Sequence, residues 1–107
     1  MDISWENWQR PDGSHRRQIR VSGDSDWGLF DKVARILKRN LKGRWKQKAD
    51  GLDQRYWDFE SGNGRITLHL EHYLGIIVYP TDGFVDDVDS NEILEAAFDV
   101  LQLSDRI

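Results

Sequence analysis

The chain has 107 residues, 38 % of them hydrophobic and 32 % charged, with a formal charge of −4. That length fits one domain, and the absence of cysteine excludes disulfides, thiolate catalysis and cysteine-bound zinc or iron–sulfur centres. The negative balance disfavours bulk attraction to nucleic acid or anionic lipid.

The opening residues, Met1-Asp2-Ile3-Ser4-Trp5-Glu6, have neither the basic nor the apolar region of a signal peptide, and no apolar run approaches the length of a membrane span. A soluble, cytoplasmic protein is expected, since a small secreted domain commonly relies on disulfides. Residues 1–14 are largely polar but carry Ile3, Trp5 and Trp8, and Arg10-Pro11-Asp12-Gly13 reads as a turn. This stretch is expected to be an N-terminal arm, with residues 15–107 forming one α+β domain.

His15 to Ser22 alternates Ile19 and Val21 with Arg20 and predicts a first strand. Gly23-Asp24-Ser25-Asp26 then opens a helix, because Ser25 or Asp26 can accept amide hydrogens of the first turn. Phe30, Val33, Ala34, Leu37 and Leu41 follow at helical spacing, Lys38, Arg39 and Lys42 suit the negative end of the helix dipole, and Gly43 supplies the stop.

Four further strands are expected at 44–49, 54–60, 65–71 and 75–79, joined by turns containing Asp50-Gly51 and Gly62-Asn63-Gly64. Asp89 or Ser90 caps a last helix, with Glu92 completing a capping box and Ile93, Leu94, Ala97, Phe98 and Leu101 forming its apolar stripe. The order β-α-β-β-β-β-α packs most simply as one largely antiparallel five-stranded sheet with both helices on one face. Phe30, Val33, Leu37, Ile66, Leu68, Leu94 and Leu101 should share its core.

Alternation assigns the other face. It places Tyr56, Asp58 and Glu60 with Thr67, His69 and Glu71, and adds Arg44, Lys46 and Lys48 from the preceding strand. Lys46 should then sit near Asp58, Arg44 near Glu60, and Tyr56 near His69. Tyr56, Asp58, His69 and Glu71 form the candidate polar-face site, because a histidine beside carboxylates can be tuned for general acid–base chemistry. No activated nucleophile accompanies them, so no catalytic residue is assigned. His69-Leu70-Glu71-His72 lacks the spacing of a zinc motif, Asp86-Asp87-Val88-Asp89 lacks that of a calcium loop, and neither a metal nor a cofactor is expected.

The net charge hides a segregation. Residues 32–48 hold eight basic side chains and no acid, whereas residues 82–105 hold eight acids and no Lys or Arg. Arg35, Lys38, Arg39 and Lys42 are the candidate interaction surface. Two helices side by side on one sheet would partly screen each other's charge, which argues against a nucleic-acid partner, and no signature of an RNA- or DNA-binding fold is present.

The stretch from Asp50 to Pro80, with its Asp-Gly turn, Tyr56-Trp57-Asp58-Phe59, Leu68-His69-Leu70-Glu71-His72 and Leu74-Gly75-Ile76, resembles small uncharacterised bacterial α/β proteins, some of which resemble toxin-immunity proteins. The resemblance implies a binding role and carries over no functional residue. The expectation is a non-catalytic protein-binding module, immunity-like or an adaptor, whose partner is another protein. The alternatives are a nucleic-acid-binding protein using residues 32–48, and a small enzyme or metal-binding protein using the polar sheet face.

Overall fold

The computed structural model describes residues 1–105. Its elements are β1 (Ser4–Gln9), β2 (His15–Ser22), α1 (Trp27–Asn40), β3 (Arg44–Asp50), β4 (Gln54–Ser61), β5 (Gly64–Glu71), β6 (Gly75–Pro80) and α2 (Val88–Asp105). The strands form one sheet in the order β1-β2-β6-β5-β4-β3, with every neighbouring pair antiparallel. The α+β architecture agrees with the sequence reading, but the sheet has six strands rather than five.

The additional strand comes from the expected arm. Ser4–Gln9 pairs with β2 from Ser4 opposite Arg20 to Gln9 opposite His15. The turn read at Arg10–Gly13 closes this hairpin: the Arg10 amide donates to the Ser14 carbonyl (2.8 Å), and Gly13 takes a φ of 88° that a side chain would resist. Trp5 reaches past the edge of the sheet and stacks on Phe98 of α2, with ring centroids 4.6 Å apart. An aromatic stack therefore holds an otherwise polar strand in place.

Both helices lie on one face. α2 crosses β5 and β6 and packs beside α1. The core between helices and sheet joins Phe30, Val33 and Leu37 of α1 and Leu94, Ala97 and Leu101 of α2 to Ile19, Val21, Phe59, Ile66, Leu68, Leu70, Ile76 and Val78. α1 begins as expected, with the Asp26 carboxylate accepting from the Leu29 amide at 3.1 Å. It ends through Leu41, which is extended, rather than through Gly43. Gly43 serves close approach instead, since a Cβ there would lie 2.7 Å from a ring carbon of Phe59.

α2 starts at Val88, ahead of the cap expected at Asp89 or Ser90. Asp87, not Asp89 or Ser90, accepts from the Ser90 amide (2.9 Å) and hydroxyl (2.7 Å). Ser90 is fully buried and accepts in turn from the Arg65 amide at 2.8 Å, tying the start of α2 to β5. The helix sits so close that a Cβ on Gly64 would come within 2.8 Å of the Asp89 and Ser90 backbone.

One strand departs from simple alternation. The register of β3 on β4 shifts between Trp45 and Gln47, so Lys46 is the extra residue and Gln47, not Lys46, stands opposite Asp58. Beyond the bulge Lys48 and Asp50 turn to the helix side, where the Lys48 ammonium lies 4.3 Å from the Trp57 ring centre and Asp50 accepts from the Trp57 indole at 2.7 Å. Ahead of it the expected Arg44–Glu60 pair forms at 3.8 Å.

Leu37 and Leu68 are at most 1 % exposed. Leu37→Ala or Leu68→Ala should therefore each cost about 2–5 kcal/mol of unfolding free energy, measured by denaturant titration. An unchanged midpoint in both variants would contradict this core.

Candidate functional site

The face of the sheet opposite the helices is not the solvated polar surface that alternation implied. Ile77, Tyr79 and His69 are 1 %, 6 % and 7 % exposed, although no helix covers them. Flat side chains from successive strands cover one another instead. Trp8 of β1 and Tyr79 of β6 flank the Arg16 guanidinium of β2 at 4.7 and 3.7 Å from their ring centres. Tyr79 meets the edge of His69 of β5 at 5.8 Å, and Tyr56 of β4 stacks on His69 at 4.0 Å. The result is a diagonal row of rings and one guanidinium across five strands, stabilised by cation–π contact and ring packing.

Three of the four residues of the candidate polar-face site meet in this row. Tyr56 stacks on His69, the Tyr56 hydroxyl lies 3.5 Å from Glu71, and His69 Nε2 lies 3.9 Å from the same carboxylate. Asp58 is drawn elsewhere. It accepts from the Thr67 hydroxyl at 2.7 Å, and Thr67 is in turn bonded to Thr81. The place expected for Asp58 is taken by Tyr79, whose hydroxyl is 3.2 Å from His69 Nδ1. Tyr79 was missed because its place depends on the register of β6 on β5, which sets it opposite Thr67, and Arg16 because its strand, β2, reaches this face only by pairing with the distant β6.

Burial holds the His69 pKa below its ordinary value, against the opposing pull of Glu71, and raises those of the Tyr56 and Tyr79 hydroxyls. The imidazole is thus neutral at pH 7, packed between two tyrosines, and its Nε2 makes no hydrogen bond. Among the described residues no three His, Asp or Glu side chains converge as metal ligands.

The candidate interaction surface divides in two. Arg35, Lys38 and Arg39 line a recess with Ala34 of α1 and Trp45 of β3. The Trp45 ring forms its floor, held edge-on against Trp57 (5.7 Å) and Phe59 (5.0 Å). Lys42 belongs to a different groove, which it lines together with Asp89 and Glu92 of α2 and with Leu41, Ile93 and Ala96. The helices do lie side by side, yet among the described residues no ion pair joins them. Screening by α2 therefore reaches Lys42 and leaves the recess positive.

Two features had no signal in the sequence. Leu52 and Tyr73 are almost fully exposed on adjacent turns, joined by the His72 amide donating to the Asp53 carbonyl at 3.1 Å. Arg55 points to the helix side, where it lies among Trp27, Phe30 and Trp57 and pairs with Asp31 (2.9 Å) and Asp50 (3.1 Å). No helix is long and apolar enough to cross a membrane.

A family model described as "Protein of unknown function (DUF3630)" matches residues 11–97. No curated protein and no solved structure matches the chain.

The state of His69 makes a prediction about stability. In the unfolded chain its imidazole takes up a proton near pH 6.5, whereas the folded protein resists protonation until a lower pH. Acidification through 6.5 therefore favours the unfolded chain, and stability falls until the folded pKa is passed. His69→Gln should flatten the difference in unfolding free energy between about pH 7.5 and about pH 5.5. A variant that keeps the parent's full pH dependence over that interval would contradict this assignment.

Proposed function

The chain belongs to the DUF3630 family of proteins of unknown function, and we propose that it is a non-catalytic protein-binding module whose contact surface is the basic face of α1 together with edge strand β3. One observation carries this reading: the recess between α1 and Trp45 has an apolar floor and a rim of Arg35, Lys38 and Arg39 that makes no ion pair among the described residues. An aromatic floor ringed by cations is the composition of an interface anchor, where burial supplies affinity and charge supplies selection and association rate. The exposed Leu52 and Tyr73 extend this character beyond the end of β3. An immunity-like role and a bacterial setting rest on the resemblance of residues 50–80, an adaptor role on small size and segregated charge, and a cytoplasmic setting on the lack of cysteine.

The polar-face site supports this reading from the other side. His69, buried and neutral between Tyr56 and Tyr79, offers no proton relay that a substrate reaches, which favours binding over catalysis.

Charge reversal at Arg35, Arg39 and Lys42 to Glu should slow association with the cognate protein at least about tenfold at low salt, with a smaller effect on dissociation. Surface plasmon resonance against a partner identified by cross-linking in cells measures both rates. The parent should shift neither single-stranded RNA nor duplex DNA in about 150 mM salt. Sub-micromolar RNA binding by the parent, abolished by the triple reversal, would replace the protein-binding reading with an RNA-binding one.

A further inference from the structure

We propose that the free edge of β3 accepts an extended acidic segment of a partner protein as a seventh strand, seating an apolar side chain of that segment in the recess between α1 and Trp45. The inference rests on the basic surface being a protein contact and specifies how the contact is made.

β3 is the last strand of the sheet and is hydrogen-bonded on one side only, to β4. Its residues from Lys46 to Asp50 are all exposed, so the outward main-chain groups face solvent and are free to bond another strand. The recess adjoins this edge on the helix side, with Ala34, Arg35, Lys38 and Arg39 across from Trp45. A strand laid against β3 alternates its side chains, sending every second one towards α1 and the recess. The recesses at the opposite edge suit an acidic strand less, because each is itself lined by two acids: Asp2 and Asp105 in one, Glu6 and Glu95 in the other.

Charge selects the occupant. The edge carries Arg44, Lys46 and Lys48, the facing helix carries Arg35, Lys38 and Arg39, and residues 32–48 include no acid. At the end of the strand Asp50 is engaged by Arg55 and Trp57. A second copy pairing edge to edge would set these cations against each other, and the bulge at Lys46 further disfavours a flat self-pairing. An acidic strand meets no such penalty. RNA fits less well, since a phosphodiester cannot match alternating amide and carbonyl groups, and Trp45 is half-buried and packed against Trp57 and Phe59.

The probe is a fluorescein-labelled peptide of about nine residues alternating Glu and Val, a length that spans β3. Two further versions carry N-methyl groups on alternate residues, blocking the amides of one edge or of the other while keeping every charge. Fluorescence anisotropy with the parent protein should show binding of the unmodified peptide, loss of binding with one methylated version and retention with the other. Lys46→Glu/Lys48→Glu should weaken the unmodified peptide about tenfold or more, and amide exchange in β3 should slow on binding. Absence of binding at millimolar peptide overturns the proposal, as does equal binding of both methylated versions. If those versions bind equally and the Arg35/Arg39/Lys42 triple reversal abolishes binding, strand addition falls while the basic contact surface stands. If the triple reversal changes nothing, the contact surface falls as well. Displacement of the peptide by micromolar oligouridylate overturns both.

Discussion

An antiparallel sheet of six strands has two faces, and this chain carries helices enough for one. The helix side is covered by aliphatic packing in the ordinary way. The other side still contains Ile77, which must leave water, and no helix is available to exclude it. The chain meets that constraint with planar side chains laid against one another: Trp8, Arg16, Tyr79, His69 and Tyr56. Charged and titratable groups are used there as covering material, which is why a face rich in His, Tyr and Glu behaves as a second, thinner core.

The same shortage of helices shapes the edges. At β1 the helix layer reaches the end of the sheet through the Trp5–Phe98 stack. At β3 it stops short, leaving the recess beside Trp45 and a strand exposed along most of its length. Lysines and a bulge on that strand disfavour pairing with the same edge of a second copy. The residues that disfavour pairing with a second copy's edge are the same ones that the proposed acidic strand would meet.

Most of the architecture was legible in the sequence because it rests on local rules. Phe30, Val33 and Leu37 at helical spacing, and Ile66, Leu68 and Leu70 at strand spacing, lie in the core as their periodicity required. The register that brings Tyr56 opposite His69 followed from a short glycine-containing turn. What escaped depends on side-chain contacts and on registers that local patterns do not announce. Ser4–Gln9 lacks the apolar alternation of a buried strand and is placed by Trp5 finding Phe98. Lys46 is displaced by a bulge that no propensity announces. Asp58 left the expected site because Thr67 and Thr81 offer it a hydroxyl network, and Tyr79 entered because β6 lies beside β5. Arg55 sits on the helix side, where alternation demands an apolar residue, because three rings and two carboxylates receive it.

The position of β2 beside β6 has a consequence for how the molecule assembles. Strands β3 to β6 form a run of hairpins, each closed by a short turn, and β1 with β2 forms another. These pairs join residues near in sequence and lose little chain entropy on forming. The seam between β2 and β6 is different, for it sets Ile19 opposite Val78 across nearly the whole intervening chain. The closure cost of the sheet is concentrated at that seam, so folding speed should depend on how early Ile19, Val21 and Val78 find one another.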